Sequence, residues 1–244
     1  MYLLIVLSVV TASYAAICPT NDNGMDDTIR QKFLDVHNEL RALVASGRAK
    51  DGLGGYAPPA AAMDKLRYDC EVEKIAAAHA AKCQYEHRTL EARKYTGENL
   101  FMQTPAFDSK VEAAEEASRW WFAELEEFGV GTDLIYGDAL WGKGVGHYTQ
   151  MVWQTTTAIG CAVQNCGAKT IVVCNYDPSG NLDYGTLYVK GAPCSLCPAY
   201  CSNNLCVDEK PTIAPGNTTV ETKHFEAKLK EMIVITWIRR RRPK

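Results

Sequence analysis

The run Gly146-His147-Tyr148-Thr149-Gln150-Met151-Val152-Trp153 sets one imidazole between a glycine and a tyrosine and follows it with an amphipathic stretch. That layout is expected where a single polar side chain points into a lined cavity while the residues behind it fill the interior. A short helix from Tyr148 to Thr155 fits the run. His147 is therefore the first candidate for catalysis, for metal binding, or for bracing the fold.

Downstream, Ala158–Gln164, Thr170–Tyr176 and Gly185–Lys190 are short and rich in Val, Ile, Thr and Tyr. The turn formers Asn165-Cys166-Gly167 and Asp177-Pro178-Ser179-Gly180 separate them, so the spacing predicts strands of an antiparallel sheet. Upstream lies a Gly-rich connection, Gly129 to Gly146, and before it a predicted helix from Lys110 to Phe128. Ala117, Trp121, Glu124 and Phe128 share one face of that helix, while Glu126 points about 200° away from Glu124 at about 100° per residue. Glu124 thus faces inward, and a carboxylate on an apolar stripe needs a partner.

Two more helices are predicted toward the N-terminus. Thr28–Ser46 has a capping box in Thr28 and Gln31, an apolar face of Ile29, Phe33, Val36, Leu40 and Val44, and a stop at Gly47. Asp69–Cys83 carries Val72, Ile75, Ala76, His79 and Cys83 on one stripe, with the Gly- and Pro-rich loop Asp51–Ala62 between the two helices. His79 on that stripe reads as a packed residue with one hydrogen bond, and His37 as a residue that fixes the first helix. Three helices beside closely spaced strands make an α+β protein with helices covering the sheet.

Met1 to Ala16 reads as a secretory signal peptide, an apolar stretch too short to cross a membrane followed by small residues at the cleavage site. The ten cysteines, Cys18, Cys70, Cys83, Cys161, Cys166, Cys174, Cys194, Cys197, Cys201 and Cys206, all lie beyond it. An even count in a secreted chain implies disulfides, and spacings of three, four and five from Cys194 to Cys206 make a poor zinc motif. The expected organisation is a signal peptide over 1–16, one main domain over 17–193, a cysteine-rich extension over 194–206 and a tail over 207–244.

The whole chain of 244 residues has a net charge of −3, but its tail from Val207 holds nine basic against five acidic residues, leaving −7 before it. An acidic body repels phosphate backbones, which argues against a nucleic-acid partner. The tail contains the sequon Asn217-Thr218-Thr219, an accessible glycosylation site, and ends in Met232–Ile238 followed by four arginines. Seven apolar residues cannot span a bilayer; the alternatives are plain disorder or a membrane-surface or heparin contact.

The opening run, together with Cys174-Asn175-Tyr176-Asp177-Pro178-Ser179-Gly180-Asn181, resembles the two signature segments of the CAP superfamily, which holds cysteine-rich secretory proteins, insect venom antigens and plant pathogenesis-related proteins. Gly97-Glu98-Asn99 and His37-Asn38 match further elements, so the resemblance covers about residues 25 to 206. Within the superfamily the chain is most similar to single-domain activation-associated or Ancylostoma-secreted proteins of parasitic nematodes. The resemblance implies a disulfide-rich, three-layer α-β-α sandwich. It pairs Cys194 with Cys201 and Cys197 with Cys206, and gives a groove holding His87, Glu98, Glu124 and His147.

Two imidazoles and two carboxylates suit zinc or another divalent metal; alternatively they satisfy one another as a hydrogen-bonded network. No Gly-x-Ser-x-Gly or His-Glu-x-x-His motif is present, and paired cysteines offer no thiol nucleophile, so no catalytic residue is assigned. A metal-dependent hydrolase is the remaining enzymatic alternative. The resemblance implies a secreted effector that binds host extracellular or cell-surface proteins such as integrins. The alternative is lipid or sterol carriage, for which Phe128, Tyr136 and Trp141 flank a Gly-rich loop.

Overall fold

The computed structural model describes residues 16–207; residues 1–15, most of the segment expected to be a signal peptide, and the tail with Asn217 and its arginines lie outside the described residues. Helix α1 (Asp27–Ala45) is followed by β1 (Arg67–Tyr68), α2 (Cys70–Ala80), β2 (Gly97–Gln103), α3 (Lys110–Phe128), β3 (Ile135–Tyr136) and α4 (Gly146–Met151). The long strands β4 (Ala158–Cys166) and β5 (Lys169–Asp177) come next, then the short pieces β6 (Gly185–Thr186), β7 (Cys201–Ser202) and β8 (Leu205–Cys206).

The main sheet has the order β1-β4-β5-β2, with β4 and β5 joined by a tight hairpin in which Cys166 faces Lys169. Gly167 has φ +67° at the first central position of that hairpin, as a type II′ turn requires. Both strands are buried along nearly their whole length, so they read as apolar runs rather than alternating ones. Their two faces belong to different layers. Ile159, Cys161, Val163, Val172, Cys174 and Tyr176 join the large core under α1, α3 and α4. Ala162, Ile171 and Val173 join Leu100 and the α2 residues Ala76 and Ala80 in a smaller core on the other side. Helices on both faces of one sheet make the three-layer α-β-α sandwich.

Several expectations need correction. The sheet is not wholly antiparallel, because β1 pairs with β4 in parallel. The predicted strand Gly185–Lys190 reduces to Gly185–Thr186, which pairs with Ile135–Tyr136 in a separate ribbon cut from the Gly-rich connection. β2, which carries Glu98, was not among the predicted strands. The first helix starts one residue earlier than predicted and is capped by Asp26, whose carboxylate accepts from the Ile29 N–H at 2.9 Å, not by a Thr28–Gln31 box. The other two helical spans that shift are α2, which ends at Ala80, and α4, which starts at Gly146. Replacing Asp26 with alanine is expected to cost about 1 kcal/mol, read from the midpoint of a urea titration at unchanged m-value.

All ten cysteines are paired: Cys18–Cys70, Cys83–Cys166, Cys161–Cys174, Cys194–Cys201 and Cys197–Cys206. The first three fasten the N-terminus to α2, the end of α2 to the hairpin, and β4 to β5. The last two close the small knob around β7 and β8. Backbone bonds from Lys65 N–H to Cys206 O and from Cys206 N–H to Met63 O, both 2.8 Å, dock the knob on the body. No helix among the described residues is long and apolar enough to cross a membrane.

Candidate functional site

The signature run is mostly interior: Tyr148, Thr149, Gln150, Met151, Val152 and Trp153 are all buried. Two features hold it there. Gly97 leaves the space that the Gln150 side chain needs, since a Cβ at residue 97 would sit 2.0 Å from Gln150 Oε1. Arg41, wholly buried on α1, donates to the backbone oxygens of Asp64, Met151, Trp153, Gln154 and Thr156 at 2.6 to 3.5 Å. Burial lowers the Arg41 pKa to about 10, and the charges of Asp64 and Tyr176 work against that fall. It remains a cation at neutral pH.

Only His147 turns from this run toward solvent, and Glu124 receives it. Glu124 Oε1 accepts from His147 Nδ1 at 2.5 Å, while Oε2 accepts the backbone N–H groups of His147 and Tyr148 at 2.9 Å each. A carboxylate from α3 thereby caps α4, and the inward phase predicted for Glu124 has its cause. Phe128, expected on the same stripe, is instead 38% exposed because it lies at the last position of α3, beyond the core.

The second pair is built on β2. The fully buried Glu98 side chain faces α2, where Oε2 accepts from His79 Nδ1 at 2.9 Å. Its Oε1 accepts from His87 Nδ1 at 2.9 Å and from the Arg88 N–H at 3.2 Å. Burial pushes the Glu98 carboxyl up, but the hydrogen bonds and charges of His87 and His79 outweigh it and hold the group below its ordinary range. His79 does pack in the core with one hydrogen bond, as its phase implied. Its partner, however, is one of the four site candidates.

The structure joins His87 to Glu98 and His147 to Glu124 by direct hydrogen bonds. His87 and Glu98 line a cavity of about 620 Å³ with Tyr136, Trp141 and Asn181. His147 and Glu124 line another of about 380 Å³. Because a carboxylate can only accept here, each imidazole donates through Nδ1, and Nε2 is the nitrogen left to carry the lone pair of the neutral ring. Among the described residues, no group of three or more His, Cys, Asp or Glu is arranged to hold a metal ion.

A buried relay ties the two halves together. Asn99 Nδ2 donates to His147 O and to Tyr176 Oη, both at 3.1 Å, and Tyr176 Oη lies 2.9 Å from His37 Nε2. His37 Nδ1 donates to Phe33 O at 2.8 Å, and burial lowers the His37 pKa to about 4. This imidazole stays neutral and structural.

A model of the CAP family, described as the cysteine-rich secretory protein family, matches residues 34–176. The chain belongs to the CAP family. It is 48% identical over 183 residues to the Ancylostoma secreted protein of Ancylostoma caninum, a match covering 74% of the chain but 43% of that relative, so the chain spans under half its length. A crystal structure of NaASP2 with Zn2+ superposes with a TM-score of 0.74 at 50% identity, over 76% of this chain and 98% of that one. The crystal structure of a hookworm platelet inhibitor gives a TM-score of 0.58 at 29% identity, over 78% and 95% of the two chains.

With the CAP fold in place, the roles of Arg41, Asn99 and Tyr176 become plain, though periodicity gave no sign of them. The sole hint for Arg41 was its place four residues after His37, on the buried side of the same helix.

Proposed function

We propose that this CAP protein is a secreted, non-enzymatic effector that acts by binding an extracellular host protein and holds a divalent metal in its cleft. The observation that carries the reading is the orientation of His87 and His147. Among the described residues each has Nδ1 anchored by a glutamate and Nε2 unengaged beside a cavity, and neither hydrogen-bonds a serine or threonine hydroxyl. That is the preparation of a metal ligand rather than of a catalytic base beside its nucleophile.

Two imidazoles anchored through Nδ1 fit a nitrogen-favouring divalent ion such as zinc, with His87 and His147 as its holders through Nε2 and Glu98 and Glu124 orienting the rings. Zinc, when bound, supplies positive charge and Lewis acidity. Two protein ligands, fewer than the four of a structural site, make such an ion exchangeable. The relative solved with Zn2+ supports the metal, and the hookworm platelet inhibitor supports action on a host. Ten paired cysteines suit the extracellular space and leave no thiol to react.

Zinc titration by calorimetry is expected to show saturable binding that is lost in His147→Ala and His87→Ala and weakened about 10- to 100-fold in Glu124→Gln. Unchanged affinity in both histidine variants would place the metal elsewhere. For the host arm, immobilised protein is expected to capture a saturable receptor from leukocyte or platelet surfaces; no saturable capture, or zinc-dependent turnover of ester or peptide substrates, would sink the effector reading. Lipid carriage is the second reading, favoured by Leu90, Tyr136, Trp141 and Leu182 around the larger cavity. Mass spectrometry of an organic extract decides it.

A further inference from the structure

The cavity of about 380 Å³ beside His147 runs along β2 residues 100–103 and the second half of α3. It is walled by aromatic rings, apolar side chains and two carboxylates, with His147, held by Glu124, as the one basic residue among them. Tyr85, Trp120 and Phe128 are 50%, 60% and 38% exposed around it. Trp121 forms the floor, fixed by its Nε1–H to Leu100 O at 2.9 Å and stacked on His147 at 6.1 Å between centroids. Glu124 and Glu127 supply two carboxylates, and no Lys or Arg is among the lining residues.

The two acids differ in what remains free. Glu124 has both oxygens engaged by α4, whereas Glu127 makes no hydrogen bond or ion pair among the described residues. Exposed tryptophan is costly unless something covers it, and the electron-rich faces of Trp and Tyr attract cations. A negative, aromatic cavity repels the carboxylate of a fatty acid and attracts an organic cation of small size.

From these observations we propose that the pocket of Tyr85, Trp120, Phe128 and Glu127 binds an organic cation, an alkylammonium or guanidinium group, against aromatic faces closed by a carboxylate. The chemistry is shared by a free amine and by a basic side chain carried on a partner protein. Neither the metal reading of the cleft nor the choice of host partner enters the argument.

The test is a titration of intrinsic tryptophan fluorescence in chelator-treated full chain at constant ionic strength. The probes are choline, capped arginine, decanoate and 3,3-dimethylbutan-1-ol, the uncharged isostere of choline. Saturable quenching by choline or capped arginine is expected, with the isostere roughly tenfold weaker or worse. Trp120→Ala is expected to weaken cation binding roughly tenfold and Glu127→Gln several-fold. Both positions are exposed, and unchanged thermal midpoints verify the fold. Tighter binding of choline assigns a free quaternary amine, and tighter binding of capped arginine a partner's side chain. Equal binding of the isostere, saturation by decanoate, or cation affinity untouched in both variants overturns the proposal.

Discussion

Replacing Arg41 with leucine is expected to remove about 4 kcal/mol of stability, enough to leave the domain near its unfolding midpoint in moderate urea. The guanidinium is wholly buried and its donors go to backbone carbonyls of five residues. Leucine has similar bulk but satisfies none of them, and each buried carbonyl left without a donor costs about 1 to 3 kcal/mol before the chain relaxes. Relaxation shares out that cost, so the total falls short of the sum. Arg41→Lys keeps a charge but not the planar fork, and about half the loss is expected. The check is chemical denaturation of both variants. A loss under about 1 kcal/mol for Arg41→Leu would mean that water replaces the guanidinium without strain. Because one acceptor, Met151, ends α4 and three more, Trp153, Gln154 and Thr156, follow it, the variant should also loosen the segment that presents His147.

Glu73→Ala is the second large loss, about 3 to 5 kcal/mol. This carboxylate on α2 has no exposed surface, and it accepts from Arg30 Nε at 2.7 Å and Nη2 at 3.0 Å, from Asn21 and Asn23 at 2.9 Å, and from Tyr68 Oη at 2.7 Å. Removing it leaves an almost fully buried arginine with Asp27 as its remaining carboxylate partner and takes an acceptor from three neutral donors. Burial raises the Glu73 pKa, but its hydrogen bonds to Arg30, Asn21, Asn23 and Tyr68 outweigh that and hold it below the ordinary carboxylate range. A depressed acid pKa stabilises the fold fully above the unfolded value of about 4.3, and the contribution disappears as pH falls through the folded value. Unfolding free energy should therefore drop below about pH 4 in the native chain. Glu73→Gln should be destabilised at pH 7 and show a shallower acid slope. Parallel pH profiles for the two proteins would refute the assignment.

What could be read from residues alone was whatever periodicity encodes. The helical span Lys110–Phe128 and the inward phase of Glu124 follow from a repeat of 3.6, and an α+β fold with helices covering a sheet follows from helices flanking apolar strands; the three-layer sandwich came from the resemblance. β2 was invisible because Glu98 and Asn99 are polar residues on opposite faces, each satisfied by a different layer, so no alternation of apolar side chains marks the strand. Glu73, Arg30 and Arg41 escaped for a related reason. Charged residues on a helix look solvated until tertiary structure supplies their partners, and those partners lie 43 to 52 residues away for Glu73, apart from Tyr68 five residues before it, and up to 115 for Arg41. Selecting His87, Glu98, Glu124 and His147 needed the resemblance; which histidine bonds which glutamate needed the structure.

The disulfide between Cys161 and Cys174 joins residues directly opposite each other in β4 and β5. Slipping that hairpin by one position would exchange its two faces, and β5 hands the same choice on to β2, where Asn99 sits opposite Cys174. Odd residues of β2 then look to the large core and even ones to α2. The covalent link acts as a parity check: by forbidding odd slips it decides that Glu98, and not its neighbour, meets the histidines.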